Sequence, residues 1–221
     1  MLTFNIVTIF PEMFKSFLNT SLIKRAIKKK LIKVNLIDIR KFTKDKHRSV
    51  DDSPFGGGPG MVLKIEPIYK ALKSLGNKKG HVILLTPQGK RFEQKKAKSL
   101  SKQKIITLIC GHYEGFDERI REHLIDEQIS IGDYVLTGGE IPACVLIDSI
   151  GRLVKDVVGK EESIKEESFD IQGKKMLEYP QYTRPEVFKP DKKTEWEVPK
   201  ILLSGDHKKV KEWRDKHTRE V

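Results

Sequence analysis

The sequence predicts an α/β fold: a largely parallel sheet with helices on both faces, followed by a small helical C-terminal domain. Three observations predict it. Over the first two thirds of the chain, short apolar runs alternate with segments of helical period. Three of those runs are followed at once by glycine-bearing turns, the kind of connection found where strand ends face a ligand. Beyond Val158 the texture turns polar, and helix signals return only near the end.

The elements follow in order. Residues 4–9 form an apolar strand closed by Pro11. Ser21 is placed to cap a helix with Leu22, Ile23, Ala26, Ile27 and Leu31 on one face and Lys24, Arg25, Lys28 and Lys29 on the other. A second strand fits residues 34–39, and a polar stretch without periodicity runs from there to Gly60. Further strands fit 81–85, 105–110 and 128–131, and helices fit 66–74, 92–101 and 140–155. The last of these is apolar almost all round (Ile141, Val145, Leu146, Ile147, Ile150, Leu153), which predicts burial in the core or at a subunit contact.

This gives a domain over residues 1–158, a Lys- and Glu-rich linker over 159–178, and a small helical domain over 179–221. In the last of these, Asp206 is placed to cap a helix with Val210 and Trp213 inside and Lys208, Lys209, Lys211 and Arg214 outside. So short a segment builds little core alone and is expected to dock on something.

The composition excludes several classes. The 221 residues carry 43 Lys+Arg against 31 Asp+Glu, a net charge of +12. That surplus suits a polyanion, nucleic acid before anionic membrane, ahead of the alternative of a lysine-rich surface without such a partner. No apolar run approaches the ~20 residues that span a bilayer, and the N-terminus lacks the basic region and cleavage site of a signal peptide. Cys110 and Cys144 lie too far apart for a CxxC site or disulfide framework, which fits a reducing cytoplasm and no metal centre. Both sit in apolar surroundings and are expected to pack as small hydrophobes.

Some segments are too unusual in composition for ordinary connectors. Asp51-Asp52-Ser53-Pro54-Phe55-Gly56-Gly57-Gly58-Pro59-Gly60-Met61 exposes backbone that a ligand can approach closely, but it is neither a Walker A loop nor a GxGxxG turn. A plain flexible loop explains it as well as a site does. Thr86-Pro87-Gln88-Gly89, Gly111-His112-Tyr113-Glu114-Gly115 and Ser130 to Glu140 each follow a strand. Any one is an ordinary strand-to-helix turn; together they are placed to wall a pocket. Leu177 to Pro185 holds Glu178, Tyr179, Tyr182 and Arg184, the stacking and phosphate-reading side chains of RNA recognition, unless it is only an irregular joining strand.

These segments, with Phe10-Pro11-Glu12-Met13-Phe14 and Leu203-Ser204-Gly205-Asp206-His207, resemble the bacterial tRNA (guanine-37-N1)-methyltransferases of the SPOUT class, in order from residue 1 to about Arg214. The resemblance implies a deep C-terminal trefoil knot in the α/β domain, which the general avoidance of threading would otherwise exclude. It also implies S-adenosylmethionine as methyl donor and leaves a Mg²⁺ requirement open. The partners implied are a second copy, in a homodimer with composite sites, and a tRNA whose guanosine-37 follows another guanosine. The cofactor loops would be Thr86, Pro87, Gln88 and Gly89; Gly111, Tyr113 and Glu114; and Ile131, Gly132, Tyr134, Leu136, Gly138 and Gly139.

Guanine N1 carries a proton, so a carboxylate base is needed beside the positioned donor. The resemblance places it at Glu178, four residues before Tyr182-Thr183-Arg184-Pro185, where well-known members carry Asp. A cation should stabilise the negative charge on guanine O6, with Arg152, Lys160 and Arg184 as candidates in no order. Asp51 falls in a motif associated with substrate contact. Tyr182, Arg184, Lys208, Lys209 and Arg214 are expected to hold the tRNA, whose target base must leave its stack. The chain ends soon after Arg214, short of the further arginine-rich helix usual in the family, which implies weaker tRNA affinity with cofactor binding kept. Two rival readings are a SPOUT ribose 2′-O-methyltransferase and a basic RNA-binding protein without activity.

Overall fold

The computed structural model describes residues 1–159, 168–169 and 175–220. The chain divides into two compact units, Met1–Gly159 and Lys160–Val221. The first is built on five parallel strands: β1 (Leu2–Thr8), β2 (Ile32–Asp38), β5 (His81–Arg91), β6 (Ile105–Cys110) and β7 (Glu127–Ser130), in the order β2-β1-β6-β5-β7. A short antiparallel pair, β3 (Asp51–Asp52) with β4 (Val62–Leu63), lies outside that sheet. The helices are α1 (Phe14–Leu18), α2 (Ser21–Lys28), α3 (Ile65–Leu75), α4 (Gln94–Leu100), α5 (Glu118–His123) and α6 (Glu140–Gly151).

Alternation along the strands feeds two separate cores, one on each face. Phe4, Ile6, Ile83, Leu85 and Leu108 meet Ile23 and Ala26 of α2, Ala97 and Leu100 of α4, and Leu146, Ile147 and Ile150 of α6. Val7, Val82, Leu84 and Ile109 point the other way, onto Ile68, Ala71 and Leu72 of α3 and Ile120 of α5. Helices therefore cover both faces, as the alternating pattern predicts.

Several expectations need correction. Ser21 does not cap α2. Thr20 precedes the helix, and Ser21 is its first residue, at φ 48°. The Thr20 hydroxyl is engaged elsewhere, donating to the Ser16 carbonyl at 2.6 Å to close the turn after α1. The helix expected over 140–155 ends at Gly151, where hydrogen bonding tightens from Arg152 N–H on Asp148 O to Leu153 on Ile150 and Val154 on Gly151. The stretch up to Gly60 contains a 3₁₀ turn (Ile39–Phe42) and the β3 strand. Helices α1 and α5, five and six residues long, are too short to show a period.

The expected strand over 81–85 also continues further. Leu85 and Lys90 both face Ile129 of β7, and Arg91 faces Ser130. Residues 86–89 thus leave the sheet edge and return to it, and β5 resumes beyond them. Gly89 closes this excursion against β7, where a Cβ would sit 2.4 Å from the Ile129 nitrogen.

In the second unit β8 (Met176–Leu177) pairs antiparallel with β11 (Arg219–Glu220), and β9 (Val187–Phe188) with β10 (Trp196–Glu197). Met176 and Leu177, expected at the end of the linker, are therefore in a strand, and the small domain is not purely helical. Among the described residues its helices are α7 (Lys200–Leu203) and α8 (His207–His217). Asp206 caps α8, its carboxylate accepting the N–H groups of Lys208 and Lys209 at 3.1 Å.

Candidate active site

Neighbouring positions of β6, β5 and β7 in the sheet bring their three glycine-bearing loops to one rim. Together they enclose a cleft of about 300 Å³. The first loop contributes Thr86, Pro87 and Gln88, and the second Gly111, Tyr113 and Glu114. The third contributes Ile131, Gly132, Tyr134, Leu136, Gly138 and Gly139. Of the expected cofactor residues Gly89 alone is not on the wall; its role is the tight return to β7.

The loops are held by their backbones. Gly139 N–H donates to the Gly111 carbonyl at 2.8 Å, and His112 and Gly138 form an antiparallel bridge. A Cβ on Gly139 would lie 2.6 Å from the Cys110 Cα and 2.7 Å from the Gly111 nitrogen, so only glycine permits this crossing. Ser130 Oγ donates to the Gly132 carbonyl at 3.0 Å and holds the start of the third loop.

The glycine-rich hairpin abuts the same rim. Glu114 N–H donates to Met61 O at 3.0 Å, and Leu63 N–H to Gly115 O at 2.9 Å. Asp51 stands opposite Leu63 in the β3–β4 pair, one strand away from the second loop.

Sequence reasoning missed three features here. His112, Arg121 and Thr137 also line the cleft. His112 lay inside a motif already singled out, but nothing in its spacing told it apart from its neighbours. Beyond these three side chains lies a buried polar link behind the wall: the Thr8 hydroxyl donates to the Glu140 carboxylate at 2.6 Å, and His112 Nε2 lies 3.9 Å from its second oxygen. Thr8 also accepts the Phe10 N–H, and the Phe10 ring meets His112 edge-on. The carboxylate acts on its neighbours: burial, and then the Glu140 charge, push the Cys110 thiol well up, and the same causes push Cys144 up to about 11.

The remaining expected residues are placed as follows. Arg152 follows the last residue of α6, whose 12 residues carry it ~18 Å from the helix start at the cleft, so the chain does not bring it to its own cleft. Lys160 lies outside the described residues. Glu178 is exposed; its Oε1 accepts the Ser168 N–H at 3.0 Å, and its own N–H donates to Ser168 Oγ at 3.2 Å. Tyr182, Arg184 and Arg214 line a second cleft of about 340 Å³ within the second unit, with Tyr179 and Trp213. Arg214 does not join the outer lysines as expected, since its guanidinium sits 4.8 Å over the Tyr179 ring. Lys208 and Lys209 are exposed on α8. Among the described residues no group of His, Cys, Asp and Glu is placed to hold a metal ion, and no helix is long and apolar enough to cross a membrane.

A profile of the tRNA (Guanine-1)-methyltransferase TrmD family matches residues 2–221. The chain belongs to that family. It is 52% identical over 214 residues to the tRNA (guanine-N(1)-)-methyltransferase of Carboxydothermus hydrogenoformans, covering 97% of this chain and 81% of the relative. The enzyme of that name from Mycoplasmopsis synoviae is 53% identical over 210 residues, covering 95% and 88%, and that from Dictyoglomus turgidum 53% over 216, covering 98% and 84%. The family confirms the resemblance carried by the glycine-rich hairpin and the three rim loops, and makes this protein a methyltransferase.

Proposed function

We propose that the protein transfers a methyl group from S-adenosylmethionine to N1 of guanosine-37 in a tRNA where a guanosine precedes it, as a cytoplasmic homodimer. The observation that carries the reading is the rim cleft, walled by the three segments of family resemblance. Its many backbone groups suit adenine and ribose edges, and the glycines leave room that a Cβ would fill. When bound, S-adenosylmethionine supplies an electrophilic methyl group on a sulfonium. Gln88, Glu114, Tyr134 and Leu136 are the side chains that would hold it beside that backbone. The trefoil knot is supported by the crossing of Gly139 against Gly111, with the third loop's backbone pressed on the end of β6.

The twin chain is supported by α6. Ile141 and Val145, one turn apart, are 53% and 40% exposed, and Met13 is 49% exposed. An apolar helix face left open beside the cleft suits a second copy. From that copy Glu178 would take the N1 proton. Its hydrogen bonds with Ser168 fix the acid in place, and a carboxylate accepting one amide still has lone pairs for a nucleobase N–H. Arg184, Lys160 and, from the partner, Arg152 stay candidates for the charge on O6. Asp51 would contact the substrate from the hairpin, and Tyr182, Arg184, Arg214, Lys208 and Lys209 would hold the RNA.

Transfer of tritiated methyl to tRNA transcripts differing only at the two guanosines tests this. Label should enter only transcripts carrying both, and the modified position should remain open to alkaline cleavage. An alkali-resistant position would assign a ribose 2′-O-methyltransferase. Retention of tRNA without any binding of S-adenosylmethionine would assign a non-catalytic RNA-binding protein.

A further inference from the structure

Glu140 is 2% exposed, and no step described above uses it. It opens α6 directly behind the cleft wall: its Oε2 lies 2.5 Å from where a Cβ on Gly138 would sit, and Gly138 and Gly139 line the cleft. The charge is only weakly matched. Thr8 supplies a neutral donor at 2.6 Å, and His112 Nε2 lies 3.9 Å from the second oxygen, with the neutral thiols of Cys110 and Cys144 also nearby. Among the described residues no lysine or arginine pairs with it. The positive end of α6 offsets part of the charge and suits an anion there. What remains acts through a poorly polarisable interior, where Coulomb forces reach further than in water. Burial first and the Glu140 charge second raise the thiols of Cys110, at the end of β6, and Cys144, one turn along α6.

We propose that Glu140 is a specificity-determining residue whose buried charge makes the cleft favour the cationic methyl donor over its neutral demethylated product. The inference rests on the assignment of the cleft to S-adenosylmethionine. During transfer the carbon–sulfur bond breaks, its electron pair stays on sulfur, the methyl joins N1, and the N1 proton goes to the base. The ligand thereby loses its sulfonium charge and, with it, the attraction of Glu140, which assists product release.

Calorimetric titration of the full chain with S-adenosylmethionine and S-adenosylhomocysteine, at mildly alkaline pH so that imidazoles are neutral, tests this. Glu140→Gln keeps the acceptor for Thr8 and removes the charge. It should weaken donor binding about tenfold and leave product binding within about twofold. Glu140→Asp and Thr8→Val keep the charge and should keep the donor-to-product ratio even if both affinities fall. In the unmodified protein the ratio should survive molar salt, because a buried charge is little screened. Equal loss of both ligands in Glu140→Gln, an unchanged ratio there, or a ratio that collapses in salt would overturn the proposal. Failure of the unmodified protein to bind either ligand would instead overturn the cofactor assignment.

Discussion

Gly139 passes against Gly111 with its N–H on the Gly111 carbonyl at 2.8 Å, and this contact joins the second and third rim loops into one wall. Gly139→Ala places a methyl 2.6 Å from the Cys110 Cα, a backbone atom that cannot swing aside. The expected cost is ~1–3 kcal/mol of stability and loss of most cofactor affinity. Thermal denaturation and ligand titration of the same sample check both.

Glu178→Gln should leave cofactor affinity nearly intact and reduce single-turnover methylation by at least ~10²-fold. An unchanged rate would remove Glu178 from the mechanism.

Thr8→Val leaves the Glu140 carboxylate buried without its hydroxyl donor. Loss of a hydrogen bond to a buried charged group should cost ~1.5–3 kcal/mol, read by chemical denaturation.

The Cys144 thiol, raised to about 11 from 9.0, gives a pH dependence with a defined sign. Between these values the unfolded chain has lost the thiol proton and the native chain has kept it. The contribution to stability is therefore complete below pH 9 and falls as pH rises towards 11. Denaturation midpoints of the wild type and Cys144→Ala should converge or cross over that interval. The alkylation rate of Cys144 should rise through the same range.

Lys208 is exposed on α8, and its N–H, not its ammonium, serves the Asp206 cap. Lys208→Ala should lower the slope of log affinity for tRNA against log salt by about 1 without altering cofactor binding. Filter binding over a salt series measures it.

The sheet was legible because Phe4, Ile6, Ile83 and Leu84 belong to continuous apolar runs whose two faces are both buried. The rim loops were legible because their glycines follow strands. What local pattern could not carry were relations between distant residues. The return of Lys90 to Ile129 depends on a partner strand some 40 residues on, and the Thr8–Glu140 link spans 132 positions. Ser21 falls inside α2 instead of capping it, and the Thr20 hydroxyl before it turns back to Ser16, a contact that composition does not encode. Arg152 and Glu178 were named from family resemblance, and spacing alone would have selected neither.

The central claim is that the cleft between the three rim loops is the cofactor site. A crystal structure with S-adenosylmethionine or its demethylated product measures this most directly. The account predicts adenosine density between residues 86–88, 111–115 and 131–139. Density for the ligand elsewhere on a chain whose cleft stays empty would contradict it.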